Sequence, residues 1–216
     1  MQYAAYVTRR GLISNTFGNM VIRVEDENFD GGVLYTKCRG ISLEECTGDN
    51  IVITSIHSNS LLCGTAPPST GHQMSREIMV HRKDVNAIVH THANEICAYF
   101  SSRKKCDIEY VGNDTALVLG SPPKVLPAHI NLELEADAVK DYVMNSSCFV
   151  MPNHGMVTVG RSLSEAYHRH IAFLNEIKRL LLTKSIYPND DSCYLKDAEV
   201  KALYAAGDRV IYGIES

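Results

Sequence analysis

The sequence predicts an α/β fold in which helices cover both faces of a largely antiparallel sheet, as a three-layer α/β/α sandwich. Short β-branched runs bounded by turn residues recur along the chain, and helical patterns lie between and after them. These elements do not follow the strict strand–helix–strand alternation of a parallel sheet. Because the chain has no internal repeat, low-complexity stretch or Gly/Ser linker, we expect one domain over residues 1–216.

Composition excludes several classes of protein. Hydrophobic residues make up 45% and charged residues 21%, which is a globular balance. The net charge of −4 gives no electrostatic reason to expect nucleic acid. Apolar stretches are far shorter than the roughly 20 residues of a membrane span, and the first residues lack an apolar signal core. We therefore expect no membrane partner.

The cysteines indicate the redox compartment. Their number is odd, they are scattered, and no two form a Cys-x-x-Cys pair. They are Cys38, Cys46, Cys63, Cys97, Cys106, Cys148 and Cys193. A disulfide framework or a cysteine-only zinc site does not fit this pattern, so we expect a cytoplasmic protein with reduced thiols.

Seven runs rich in β-branched residues are predicted to be strands, because each is bounded by Gly, Asn, Asp or Pro. They span residues 20–24, 32–36, 51–56, 87–92, 116–119, 148–151 and 156–159. Helices are predicted over residues 70–80 and 132–144, the second from apolar residues at 132, 136, 139 and 143. Ser42 and Glu45 have the spacing of a capping box that opens a short helix.

The clearest helical pattern covers residues 163–184. Ser162 and Glu165 form a second capping box before it, and basic residues favour its C-terminal end. The residues of its predicted inner stripe are Ala166, His170, Phe173, Leu174, Ile177 and Leu181. His168 and His170 differ by about 200° around a helix axis, so they cannot share a metal. We expect one of them at the surface and one in the core.

The segment at residues 86–92 carries the strongest chemical signal. Side chains alternate along a strand, so His90 and His92 point to the same face. A third histidine, His154, lies in a predicted strand–turn–strand with Gly155 directly after it. Three histidines with an open position form the pattern of a catalytic zinc site, although two histidines at i and i+2 can also simply decorate a strand.

Three small polar segments form a second pattern. They lie at residues 15–19 before a strand, 36–40 after one, and 67–71 where a helix opens. Backbone amides at such turns and at a helix N-terminus bind phosphate, helped by Ser and Thr hydroxyls. Each segment alone is more often an ordinary turn, but together with a predicted metal site they favour a phosphorylated small molecule as substrate.

These residues resemble the class II aldolase/adducin family over nearly the whole chain. The resemblance rests on Thr-Phe-Gly-Asn at 16–19, the turn ending at Gly40, Pro-Ser-Thr at 68–70, residues 84–92, Asn-His-Gly at 153–155, and Tyr-Gly at 212–213. It implies an α/β/α sandwich around an antiparallel sheet and a homotetramer with active sites between subunits. It implies zinc on His90, His92 and His154.

The resemblance also implies a phosphate pocket and a reaction. The pocket residues would be Asn19, Thr36, Gly40, Ser69 and Thr70. The implied reaction is cleavage of a carbon–carbon bond in a phosphorylated ketose, with the metal stabilising an enediolate. Tyr212 resembles the family's C-terminal tyrosine, which reaches a neighbouring subunit's site and protonates the leaving aldehyde.

The chain departs from the family pattern at Gly71. Family aldolases carry a Glu there as general acid/base on the metal side, and the epimerases carry an Asp, whereas Gly can neither transfer a proton nor bind zinc. The family's histidine one helical turn later is replaced by Ser75. His72 is the nearest substitute, because a neutral imidazole performs acid/base chemistry near pH 7. Lys37 and Arg39 also replace the usual residues of their turn, either as anion contacts or as exposed loop charges.

Three hypotheses follow. The first is a zinc-dependent aldolase in which His72 or Tyr212 moves protons. The second is a dehydratase, decarboxylase or epimerase of the same superfamily, which would polarise a carbonyl on the same metal. The third is a catalytically inactive, adducin-like scaffold, which the missing carboxylate at Gly71 supports and the three histidines oppose.

Overall fold

Eight strands form one sheet in the computed structural model, which describes residues 1–13, 15–101, 108–188 and 194–214. The strands are β1 (Asn19–Asp26), β2 (Phe29–Lys37), β3 (Ile51–Ser55), β4 (Leu61–Cys63), β5 (Ala87–Thr91), β6 (Lys124–Val125), β7 (Cys148–Met151) and β8 (Gly155–Gly160). Their order across the sheet is β4-β3-β2-β1-β5-β8-β7-β6. Every neighbouring pair is antiparallel except β6 and β7, so the prediction of a largely antiparallel sheet is confirmed.

Helices cover both faces of this sheet. They are α1 (Gln2–Arg9), α2 (His72–His81), α3 (Asn94–Tyr99), α4 (Asn113–Leu119), α5 (Val139–Tyr142), α6 (Leu163–Ile186) and α7 (Asp197–Tyr212), with 3₁₀ turns at Gly48–Asn50 and Ala136–Ala138. None of these described helices has an apolar stretch that would cross a membrane. The described cysteines are free thiols, and Cys106 and Cys193 lie outside the described residues.

Each face of the sheet has its own hydrophobic core. Ala87 and Val89 of β5 belong to the core that α1, α3 and α6 cover, whereas Ile88 between them belongs to the core under α2 and α5. Because side chains alternate along a strand, a strand buried on both faces divides its residues between two helical layers. The three-layer prediction is therefore confirmed.

The helix α6 agrees with its sequence pattern. The Ser162 hydroxyl accepts a hydrogen bond from the Glu165 amide and caps the helix, as the capping box predicts. His170 is buried and His168 exposed, which agrees with the expectation for this pair. Leu181 is an error of the predicted stripe: it is 40% exposed, because the buried face continues from Ile177 to Leu180 and Leu181 lies beside it.

Three local predictions are wrong. Residues 116–119 belong to the helix α4, which Gly120 ends in the left-handed conformation with φ 65°. Residues 132–144 form turns, a 3₁₀ turn and the short α5 rather than one helix, although residues 132, 136, 139 and 143 are all buried as predicted. Ser42 and Glu45 make their capping hydrogen bonds around a bend that does not continue into a helix.

The cap of α6 gives a test of the fold. We expect Ser162→Ala to lower the free energy of unfolding by about 1 kcal/mol, since the Glu165 amide loses its acceptor. Urea denaturation monitored by circular dichroism measures this change. Ser164→Ala, inside the same helix, is the matched control and should leave stability unchanged or slightly raised. Equal losses in the two variants would contradict the capping role.

Candidate metal centre

Three histidines meet at one end of the sheet. His90 lies near the end of β5, His92 directly follows that strand, and His154 lies in the turn between β7 and β8. The Nε2 atom of His90 is 3.0 Å from Nε2 of His92 and 3.3 Å from Nε2 of His154. One ligand atom from each of the three residues lies within 4.8 Å of the others. The three histidines that the sequence singles out therefore lie together in the structure.

The pairing of β5 with β8 places His154 beside the other two. His90 is opposite Val157 and Thr91 is opposite Met156 in this ladder. A Cβ on Gly155 would lie 2.3 Å from the Thr91 carbonyl oxygen, so only glycine lets the turn approach β5 this closely. Asn153 adopts a left-handed conformation with φ 60°, which turns the chain before His154.

A hydrogen bond orients the His90 ring. Its Nδ1 atom lies 2.9 Å from the Met156 carbonyl oxygen, which can only accept, so Nδ1 carries the proton. The Nε2 atom of the neutral ring then keeps its lone pair and points toward the other histidines. A metal-binding histidine typically donates its other ring nitrogen in this way.

Burial keeps the imidazoles of His90 and His92 neutral. Desolvation, and then neighbouring histidines, lower the pKa of His92 to about 3. Desolvation also lowers the pKa of His90, against the opposing charge of Glu133. Neutral imidazole is the form that binds a metal, so the pair is ready for ligation at neutral pH. Phe17 stacks on the His92 ring with centroids 5.6 Å apart and forms one wall of the site.

A carboxylate that the sequence analysis missed completes the cluster. Glu133 Oε2 lies 3.2 Å from His154 Nε2, and Glu133 Oε1 lies 3.6 Å from His90 Nε2. Burial opposes ionisation of Glu133, but the hydrogen bond with His154 and the nearby histidines hold its pKa below the usual value. No sequence motif marks Glu133. The missing carboxylate at Gly71 is the sequence feature that would have prompted a search for another carboxylate near the histidines.

The donor set fits a divalent metal. Three imidazole nitrogens converge with one carboxylate, and this combination of nitrogen and oxygen ligands is typical of zinc and related ions. His90 would bind through Nε2, since its other nitrogen is committed to Met156.

The three small polar segments meet beside this cluster. The Asn19 side chain is 1% exposed, and neither its oxygen nor its nitrogen has a hydrogen-bond partner among the described residues. A Cβ on Gly71 would lie 2.9 Å from Asn19 Oδ1, and Thr36 Oγ1 lies 3.4 Å from Ser69 Oγ. A buried amide without partners is unusual, because such groups nearly always bond to protein, water or ligand.

The remaining residues of the predicted pocket lie at its edge. Gly40 and Thr70 are exposed, and Gly40 turns the chain with φ 88°. Lys37 is buried and its Nζ donates to the carbonyls of Thr16 at 2.9 Å and Ile41 at 2.7 Å. Lys37 therefore joins the first two segments to each other, whereas Arg39 is an exposed loop charge.

The two predicted proton carriers have different surroundings. His72 is buried with Nε2 3.1 Å from Thr54 Oγ1, and desolvation lowers its pKa to about 4. Tyr212 ends α7, where its ring lies under the Arg161 guanidinium at 4.8 Å. Tyr212 belongs to the layer formed by α4, α6 and α7, which lies on the face of the sheet opposite to His90. Within one chain, then, Tyr212 is separate from the three histidines.

The fold is an α/β/α sandwich that carries a cluster of three histidines able to hold a metal ion. Residues 1–180 match the family described as the class II aldolase and adducin N-terminal domain. The chain therefore belongs to the class II aldolase/adducin family.

Individual relatives agree with this membership. The chain is 30% identical over 176 residues to an L-fuculose phosphate aldolase of Methanococcus maripaludis, covering 79% of this chain and 87% of that protein. It is 29% identical over 136 residues to human gamma-adducin, covering 60% of this chain but 19% of that protein. The crystal structure of YgbL from Escherichia coli superposes with a TM-score of 0.77 at 19% identity, covering 94% of each chain, which shows the shared fold.

The depressed pKa of His72 gives a pH test of stability. An unfolded histidine titrates near 6.5, whereas His72 in the fold titrates near 4. The unfolded chain thus binds more protons between these values, so stability is full above about pH 6.5 and falls as the pH drops toward 4. We expect His72→Gln to flatten this dependence by up to about 1.4 kcal/mol per pH unit.

Urea denaturation of chelator-treated protein between pH 7 and pH 4 measures the dependence. The exposed His168 supplies the control, since His168→Gln removes a titrating group without changing a buried one. Parallel curves for wild type and His72→Gln would show that His72 is protonated in the fold as easily as in the unfolded chain.

Proposed function

We propose that this protein is a metal-dependent aldolase that cleaves a carbon–carbon bond in a phosphorylated ketose. The observation that carries the proposal is the meeting of three histidine Nε2 atoms beside the buried, unpartnered amide of Asn19. The three histidines are suited to a divalent metal, and the Asn19 amide is suited to an anionic oxygen. Membership of the class II aldolase/adducin family and similarity to proteins named L-fuculose phosphate aldolase support the same reaction.

The metal we propose is zinc, held by His90, His92 and His154. A divalent ion there supplies Lewis-acid polarisation of the substrate's oxygens as negative charge develops during bond cleavage. The histidines fix the position of that charge, because His90 is held by the Met156 carbonyl and His154 by the turn at Gly155. Phe17 excludes water from one side of His92.

The phosphate site we propose consists of Asn19, Thr36, Gly40, Ser69 and Thr70. The amide of Asn19 and the hydroxyls of Thr36 and Ser69 are buried and donate hydrogen bonds to phosphate oxygens, while the turns contribute backbone N–H groups. Lys37 holds two of these turns together through the carbonyls of Thr16 and Ile41. Binding energy from the phosphate positions the reacting carbon against the metal site.

Proton transfer to the leaving aldehyde is the role we propose for Tyr212, acting on the site of a neighbouring copy in a homotetramer. Its position on the opposite layer of the sheet from His90 supports action between chains rather than within one. His72 remains the second candidate, but its bond to Thr54 and its low pKa favour a neutral positioning group. We propose a cytoplasmic location for the assembly, from its cysteine usage.

An inactive scaffold is the second candidate function. The observation that favours it is Gly71, which supplies no carboxylate where the family's aldolases have one. Part of the chain is also similar to adducins, of which it covers about a fifth of the length. The same metal site would also support a dehydratase, decarboxylase or epimerase, and the products formed from a phosphorylated ketose separate these reactions from aldol cleavage.

Metal content tests the proposal first. We expect about one zinc per chain in the purified protein and loss of most of it in His92→Ala, because two remaining histidines bind far more weakly. Elemental analysis of dialysed protein measures the zinc content. An assay for release of an aldehyde from phosphorylated ketoses then tests cleavage. His168→Ala, an exposed histidine, should keep its zinc. A folded wild type without metal or aldehyde release would favour the scaffold.

The phosphate site has its own prediction. We expect Asn19→Ala to lower kcat/KM for a phosphorylated ketose by roughly 10–100-fold, since a hydrogen bond to a charged group contributes about 1.5–3 kcal/mol. Activity on the same ketose without phosphate should change little. The exposed Asn145→Ala serves as control in steady-state assays. An equal loss on both substrates would place Asn19 at the reacting end of the substrate instead.

A further inference from the structure

We propose that Glu133 is the fourth ligand of the metal centre and that it replaces the carboxylate missing at Gly71. The inference rests on the proposed function only in that His90, His92 and His154 bind a metal. It concerns a residue from a different segment of the chain, the turn before the 3₁₀ turn Ala136–Ala138.

Four of the six distances between the four side chains are near those of a tetrahedral ligand set. Bonds of about 2.0–2.2 Å to nitrogen and oxygen place tetrahedral ligand atoms about 3.3–3.6 Å apart. The distances from His90 Nε2 are 3.0 Å to His92, 3.3 Å to His154 and 3.6 Å to Glu133 Oε1. The other carboxylate oxygen lies 3.2 Å from His154 Nε2. An ion bound by His90 and His154 is therefore within reach of the Glu133 carboxylate after small shifts.

Space left by Gly71 admits the carboxylate. A Cβ at position 71 would lie 2.5 Å from Glu133 Oε1, well inside contact distance. Gly71 has φ −75°, a conformation open to every residue, so its backbone does not demand glycine. The Glu133 carboxylate therefore occupies the volume that a side chain at position 71 would need.

The backbone around Glu133 holds it in place. Its amide donates to Asn131 Oδ1 at 3.0 Å, and the amides of Leu134 and Glu135 donate to the Asn131 carbonyl. Leu132, directly before it, is fully buried in the core under α2. A turn fixed by side-chain and backbone bonds and anchored by a core leucine holds the backbone of Glu133 beside the histidines.

Charge supports the assignment. The Glu133 side chain is 11% exposed, and its ion-pair partners in the described part of the chain are histidines rather than Lys or Arg. Imidazole ligands carry no charge, so a divalent ion held by three histidines keeps both of its charges. Glu133 lowers that net charge to one and in turn receives the counter-charge that a buried carboxylate requires.

Zinc affinity and a spectrum test the role of Glu133. Metal-free protein is titrated with Zn²⁺ against a competing chelator, and separately with Co²⁺, whose visible absorption reports ligand number. We expect Glu133→Gln to weaken Zn²⁺ binding at least about tenfold, the lower bound for groups that only support a ligand, and to change the Co²⁺ spectrum. Glu135→Gln, two residues away and exposed, should bind both ions like wild type.

Gly71→Ala tests the shared space without removing the carboxylate. Its Cβ meets the ends of two side chains, Glu133 at 2.5 Å and Asn19 at 2.9 Å, so these side chains move while the backbone stays in place; we expect weaker Zn²⁺ binding here too. The matched control is Gly48→Ala, where an added Cβ meets no atom within 4 Å. Gly71→Glu in the Glu133→Ala background should restore affinity, because the shortened residue 133 frees the shared volume and the carboxylate returns from the other segment.

The outcomes separate this proposal from the proposed function. Wild-type affinity and an unchanged Co²⁺ spectrum in folded Glu133→Gln would overturn the assignment of Glu133 while leaving the three-histidine site standing. A wild type that binds neither ion would overturn both. A double variant that does not recover Zn²⁺ affinity, when Glu133→Gln and Gly71→Ala both weaken it, would overturn the claim that Glu133 replaces a carboxylate at 71.

Discussion

The close pairing of β5 with β8 is the interaction on which the site depends. Gly155 lies against the Thr91 carbonyl, at a distance that no side chain permits, and this contact brings the His154 turn to the end of β5. The Met156 carbonyl that follows accepts a hydrogen bond from His90. One backbone contact thus sets the separation of two histidines and the orientation of one ring.

The same strand serves both helical layers. Thr91 points away from the cluster and bonds His170 of α6 at 2.7 Å, and Thr158 of β8 bonds the other nitrogen of that ring at 3.2 Å. Burial lowers the pKa of His170 to about 3, so its ring stays neutral in the core. The two histidines therefore differ in role. His90 is part of the histidine cluster, whereas His170 connects α6 to β5 and β8 through Thr91 and Thr158.

Strand alternation explains why so much of the site could be predicted from sequence. The period of two puts His90 and His92 on one face, and Gly155 after His154 indicates a close turn, so local rules suffice for these residues. Glu133 could not be found this way, because its position depends on how residues 131–135 turn over α2. The apolar positions 132 and 136 have helical spacing, but the chain turns at residues 131–135 and again in the 3₁₀ turn Ala136–Ala138 instead of continuing as one helix. Core burial was predicted there, and backbone conformation was not.

A carboxylate carried by a turn belongs to a different dynamic unit from one at the start of α2. Position 71 lies at the start of a packed helix, whereas Glu133 lies in a turn between the buried Leu132 and Leu134, which is 83% exposed. Loops rearrange on nanosecond to microsecond timescales, and packed helices shift more slowly. Contact of another molecule with the exposed Leu134 would therefore bear directly on the peptide that joins it to Glu133.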